Sequence, residues 1–235
     1  MYQPDRVIFL DGVSQSLSKG MEAYHEALVQ PAMFAHPNPK RVAIIGGGEG
    51  ATLREALKHK SVNNVTMIDI DEIMCKVSAD VLYPLWNGCD DFMEDDNVNA
   101  PPSCFDHPRA HVQYEDALAW FIQRFPDDDN QNENKFDVVI MDALDPQDTV
   151  EFANILYQDL TFWKSVYNAI TDDGILVAQL GNSPYNDDGA DTSNKNKRRA
   201  ALIEVLQNVG FQTTHSYEEV CRCGSSTCIG LVFFI

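Results

Sequence analysis

The sequence predicts an α/β fold built on a mostly parallel sheet with helices on both faces. Three observations carry this: short apolar runs alternate with helical stretches from Arg41 onward, the first run ends in a glycine-rich turn that opens a helix, and 235 residues suffice for one such domain.

RVAIIGG reads as a buried strand, and TLREALKHK, with apolar residues at helical spacing, as the helix after the turn. NVTMIDID is the second strand, followed by helical EIMCKVSADVL. AHVQY is the third, DALAWFIQRF a helix, and FDVVIMDA the fourth strand. A long helical segment around Asn154 to Ile170 leads to the fifth, ILVAQLG. Helical KRRAALIEVLQNVG then precedes FQTTHSYEEV and IGLVFFI, which a short connection joins, so they cannot both run parallel and the last is expected to insert antiparallel. Three polar stretches are expected as surface loops: Tyr83 to Pro108, PDDDNQNENK, and PYNDDGADTSNKNK.

Acidic residues outnumber basic ones 36 to 17, a formal charge of −19 that disfavours nucleic acid and anionic membranes as partners. Such charge serves solubility and also steers cationic substrates. No apolar run reaches the ~18 residues of a membrane span, and MYQPDRVIFLDG lacks a secretory layout, so a cytoplasmic address is expected. Six cysteines in a chain of this size and address are expected to be mostly reduced thiols. The cluster Cys221, Cys223, Cys228 lacks a C-x-x-C pair, so no metal site is expected there even with His215 nearby.

GGGEG at Gly46 to Gly50 lies directly after a strand and directly before a helix, where glycines let the backbone turn and approach a ligand; a packing turn is the alternative. Glu49 would repel a pyrophosphate and pair with an ammonium, which favours an amine-bearing ligand over a dinucleotide. Asp69, at the end of the second strand, suits ribose hydroxyls, whereas Asp71 fits a helix cap. Asp116, after the third strand, suits either a helix cap or an adenine amino group. In MDALDP, Asp142 stands at the tip of the fourth strand with Asp145 three residues on. Acids at four strand ends should therefore converge on one crevice, since ligands of open α/β sheets bind there.

LDGVSQS and EAYHEALVQPAMFAHPNPKRVAIIGGGEGATLREALKHKSVNNVTMIDIDE, with EDAL and MDALDP further on, resemble the polyamine aminopropyltransferases, the spermidine and spermine synthase family. HPNPK, GGGEG and DID look most like thermospermine synthases. The strand order resembles the Rossmann-like, seven-stranded fold of S-adenosylmethionine-dependent methyltransferases, to which this family is related. The resemblance implies a first segment, 1–20, as the remnant of an N-terminal β-segment, and a catalytic domain over 21–235. It implies Asp142 as the catalytic acid that accepts the amine proton. It implies Tyr24 and Asp145 as acceptor contacts, and Gly46, Gly48, Glu49, Asp69, Asp116 and His25 as donor-binding residues. From the residues alone His25 reads as a structural histidine on a helix face.

The resemblance further implies transfer of the aminopropyl group of decarboxylated S-adenosylmethionine to putrescine or spermidine, releasing methylthioadenosine. No prosthetic group or metal is expected, and a homodimer is compatible. The family usually carries a small β-domain before LDG, where about ten residues stand here, and a Tyr-Pro segment that helps bind the acceptor, where this chain has CRCGSSTC. Two alternatives follow: a polyamine N-methyltransferase using intact S-adenosylmethionine, and a catalytically weakened polyamine-binding relative.

Overall fold

The computed structural model describes residues 6–10, 12–89, 103–126, 134–143, 151–182, 189–221 and 227–234. Strands β1 (Val7–Leu10) and β2 (Val13–Leu17) pair antiparallel as a separate two-stranded sheet. Helix α1 (Met21–Ala35) follows, then β3 (Arg41–Gly46), α2 (Ala51–Leu57), β4 (Asn64–Asp69) and α3 (Glu72–Val77). A π-helical turn, Ser78–Leu82, continues α3 into the short α4 (Tyr83–Trp86). Next come β5 (Ala110–Tyr114), α5 (Ala117–Arg124), β6 (Phe136–Asp142), α6 (Glu151–Gln158), α7 (Leu160–Asn168) and β7 (Ile170–Asn182). The chain closes with α8 (Gly189–Val209), β8 (Thr214–Cys221) and β9 (Thr227–Phe234).

The main sheet has seven strands in the order β5-β4-β3-β6-β7-β9-β8. The first five run parallel, and β9 inserts antiparallel between β7 and β8, as expected from the short connection. From β3 the chain winds outward through β4 and β5, then returns to place β6 on the other side of β3. The order therefore reverses between β3 and β6, and ligands of open α/β sheets bind at the carboxyl ends of the strands that flank such a reversal.

Residues alternate across the central strands. Val42, Ile44, Val138 and Ile140 pack with Leu28, Val29 and Leu53 of α1 and α2 on one face. Ala43, Ile45, Val139 and Met141 pack with Phe121, Phe162, Trp163 and Leu206 of α5, α7 and α8 on the other. Both faces being covered, these strands are apolar throughout.

Several expectations need correction. The segment around Asn154 to Ile170 is two helices, because Asp159 breaks the run and caps α7, accepting a hydrogen bond from the Phe162 N–H at 2.9 Å. Helix α8 begins at Gly189, inside a stretch expected to be loop. The described residues of the Tyr83 to Pro108 stretch include α4, an antiparallel bridge between Gly88 and Ser103, and a 3₁₀ turn at Cys104–Asp106. The cysteine reading also changes, since Cys89 and Cys104 form a disulfide. The bridge brings their Cα atoms to 5.0 Å, within disulfide range, a local proximity that chain size and cellular address do not govern. Cys75 is a buried free thiol, while the side chains of Cys221, Cys223 and Cys228 lie outside the described residues.

Helix α1 contains Pro31, which has no N–H to offer the carbonyl of Ala27 four residues earlier. The phenol of Tyr217, on β8, donates to that carbonyl at 2.5 Å. An edge strand thus supplies the bond the proline removed, one turn from the helix residues that enter the site.

Candidate active site

Register places Gly46, the last residue of β3, opposite Asp142, the last residue of β6. Gly46 has a φ of +82°, and a Cβ there would overlap the Asp142 backbone carbonyl, so only glycine lets these strand ends lie so close. A Cβ on Gly48 would stand 3.1 Å from Asp69 Oδ2, which puts the turn within reach of the end of β4. Glu49 (just past β3), Asp69, Asp116 and Asp142 stand at the carboxyl ends of four strands that are neighbours in the sheet.

The contacts bring five side chains together. The Tyr24 hydroxyl donates to Asp142 Oδ1 at 3.1 Å, and the Thr52 hydroxyl to Asp142 Oδ2 at 2.5 Å. His25 Nε2 lies 2.8 Å from Glu49 Oε1, with the imidazole fully buried. The Tyr24 and His25 rings meet edge to face at 4.7 Å. Ligand atoms of His25, Glu49 and Asp142 all lie within 4.8 Å of one another.

Electrostatics separates the carboxyls. Burial, reinforced by the charge on Glu49, pushes the Asp142 carboxyl up to about 6 against the opposing pull of His25, Thr52 and Tyr24. Burial would also raise Glu49, but the His25 hydrogen bond and charge outweigh it and hold Glu49 below the usual carboxylate range. The Asp69 carboxyl is raised by burial, with further repulsion from Glu49 and Asp71; it accepts from the Asp71 N–H at 2.7 Å and from the Gly48 N–H.

Sequence-expected residues are met unevenly. Gly46, Gly48, Glu49, Asp69, Asp142, Tyr24 and His25 lie together at the carboxyl ends of β3, β4 and β6, with His25 against Glu49. Asp71 caps α3 through the Met74 N–H, as expected. Asp116 caps α5, accepting from the Leu118 N–H at 2.9 Å. Asp145 lies outside the described residues. Thr52 and Asn87 were not singled out. A threonine in the first turn of α2 gives no sequence signal of its own. Asn87, whose Nδ2 donates to the Glu49 carbonyl at 2.8 Å, sits in a stretch that reads as loop.

A glycine turn, a strand-end acid and a second, half-buried carboxylate gathered at the switch point of the sheet make up the place where open α/β folds bind their ligands. Residues 21–211 match the family model described as the spermine/spermidine synthase domain, and the chain belongs to that family. It is 36% identical over 176 residues to a polyamine aminopropyltransferase of Thermococcus onnurineus, covering 75% of this chain and 52% of that protein. It is 36% identical over 216 residues to polyamine aminopropyltransferase 2 of Pseudomonas aeruginosa, covering 92% and 52%. The chain thus spans about half the length of these curated relatives. Among solved structures, it superposes on a spermidine synthase in complex with the transition state analogue AdoDATO with a TM-score of 0.73 and 28% identity, covering 97% of this chain and 65% of that one. The Thermotoga maritima spermidine synthase gives 0.70 and 27%, covering 97% and 64%. No helix among the described residues is long and apolar enough to cross a membrane.

Proposed function

We propose that the protein is an aminopropyltransferase of polyamine biosynthesis, moving the aminopropyl group of decarboxylated S-adenosylmethionine to putrescine or spermidine and releasing methylthioadenosine. The observation that carries it is the pairing of a carboxyl raised to about 6 with a depressed one at the carboxyl ends of β3 and β6, a set suited to cations rather than phosphates.

The donor's ribose lies on Asp69 and its adenine near Asp116. The sulfonium and the aminopropyl ammonium face Glu49 and His25. One cation ~4 Å from a carboxylate gains on the order of 4 kcal/mol at an effective dielectric of 20, before desolvation. The acceptor nitrogen lies against Tyr24 and Asp142, with Asp145 as a further contact. The amine nitrogen attacks the methylene carbon next to sulfur, the carbon–sulfur bond breaks, and the electron pair leaves on methylthioadenosine. Asp142 takes the amine proton. Transfer from an ammonium of pKa about 10 to a carboxylate near 6 is uphill by ~5 kcal/mol in isolation. Burial of the bound amine narrows that gap, since it lowers the amine's affinity for the proton. Proximity of the two bound substrates supplies much of the remaining acceleration.

We read the His25, Glu49 and Asp142 group as an amine site rather than a metal site. Each Asp142 oxygen accepts one hydroxyl proton and keeps a second lone pair for an amine N–H, and a Glu49 oxygen faces His25 Nε2. A cytoplasmic address and a homodimer belong to the same proposal. Incubation with decarboxylated or intact S-adenosylmethionine, over putrescine and spermidine, tests it by mass spectrometry. Methylthioadenosine with a lengthened polyamine is expected; S-adenosylhomocysteine with a methylated amine would replace the reading with methyl transfer.

A further inference from the structure

We infer that Asn87 is a positioning residue for Glu49, and that the Cys89–Cys104 disulfide holds Asn87 in place, so that the site's hold on its cationic substrates depends on the oxidation state of that cysteine pair. The inference rests on the aminopropyltransferase reading.

Asn87 is fully buried, and its amide is fully engaged. Nδ2 donates to the Glu49 carbonyl at 2.8 Å and to the Ser78 carbonyl at 3.1 Å, while Oδ1 accepts from the Ser103 hydroxyl at 2.7 Å. These bonds use both amide protons and the oxygen, so the group has one orientation. It ties the glycine turn, at the residue whose carboxylate meets His25, to the start of the π-helical turn. No atom of Asn87 needs to touch substrate for this.

What returns Ser103 to Asn87 is the closure of the chain behind it. Gly88 and Ser103 form an antiparallel bridge, the Cys104 N–H donates to the Asn87 carbonyl at 2.8 Å, and Cys89 is joined to Cys104 with both side chains fully buried. Phe105 then packs on the turn from outside. A Cβ on Gly50 would overlap its ring and come within 2.9 Å of Asn87 Cβ. The glycine turn, Asn87, Cys89 and the run from Ser103 to Phe105 are therefore one packed unit.

A dithiol reductant opens the clasp. Its thiolate attacks one cysteine sulfur, the Sγ–Sγ bond breaks to release the other cysteine, and its second thiol attacks the mixed disulfide to release the first. Two electrons and two protons pass to Cys89 and Cys104 as the reductant closes to a cyclic disulfide. Ser103 and Phe105 then lose their covalent tie to the Asn87 strand, and Glu49 is held less firmly.

The test starts from protein purified without reductant, in which peptide mass mapping should find Cys89 joined to Cys104. Steady-state kinetics is compared for this form, the dithiothreitol-reduced form, Cys89→Ser/Cys104→Ser, Ser103→Ala and Asn87→Ala. KM for the donor should rise about fivefold to tenfold in each altered form with kcat within about twofold, and the double serine variant should ignore reductant. The His25 ring ¹⁵N shift, read by NMR, should move in each altered form, while the melting curve reports folding. Unchanged KM and an unmoved His25 signal in Ser103→Ala and the folded double serine variant would overturn the inference, and unlinked cysteines in the mass map would overturn its redox half. If the oxidised protein forms no product, the aminopropyltransferase reading falls. The His25 signal then decides the positioning claim alone, supporting it by moving and overturning it by staying fixed.

Discussion

The buried imidazole of His25 stands 2.8 Å from the carboxylate of Glu49, and this one contact divides the labour between the site's two acids. Glu49, bonded to His25, stays ionised and serves as the fixed negative charge. Asp142, half-buried and facing that charge, is pushed up to about 6, and in the proposed reaction it is the group that exchanges a proton.

A pH profile follows from this division. In the free enzyme Asp142 accepts a proton only when ionised, so kcat/KM should fall as pH drops through about 6. Glu49→Gln removes the charge that helps raise Asp142, and the fall should move to lower pH. A profile of kcat/KM for wild type and variant checks both.

Stability should change in the opposite sense to activity. The folded-state pKa of Asp142 lies above its unfolded value, so its proton stabilises the native state at low pH, and that contribution is lost as pH rises through about 6. At pH 7 the ionised group therefore costs up to ~3 kcal/mol, and Asp142→Asn should melt several degrees higher than wild type there. Near pH 4 the two melting curves should approach each other. Differential scanning calorimetry at both pH values measures the difference.

The Tyr217 bond to the Ala27 carbonyl replaces the one Pro31 removes. Tyr217→Phe should lower stability by ~1 kcal/mol and raise KM for the acceptor, because the loosened helix carries Tyr24 and His25. In a Pro31→Ala background the backbone N–H restored at that position serves the Ala27 carbonyl, and the same change should cost measurably less. A double-mutant cycle by denaturant unfolding reads the coupling.

Metal removal should leave activity intact. On the proposed reading the His25, Glu49 and Asp142 group serves an amine, and the displacement calls on no metal. Dialysis against EDTA should leave kcat unchanged to within error, as measured by methylthioadenosine release.

Much of this was legible in the sequence because strand ends are punctuated by chemistry. RVAIIGGGEG shows strand, turn and carboxylate in one run, and the strands within NVTMIDID and VVIMDA end on Asp69 and Asp142, acids that the parallel topology carries to the same edge. IGLVFFI could be placed antiparallel because a short connection permits nothing else. Thr52 and Asn87 were not legible, since their roles depend on distances across 90 and 38 residues of chain. The Cys89–Cys104 pair was hidden for the same reason: the bridge that aligns it is a fact of folding, not of spacing. Pro31 stands plainly inside a helical pattern, but nothing local points to Tyr217 as the partner of the carbonyl it frees.

Asp142 as proton acceptor is best tested by pairing turnover with nucleoside binding in Asp142→Asn. Methylthioadenosine affinity, measured by calorimetry, should stay within about threefold of wild type while kcat falls by a factor of about 10² to 10⁴. Wild-type turnover in that variant would contradict the account.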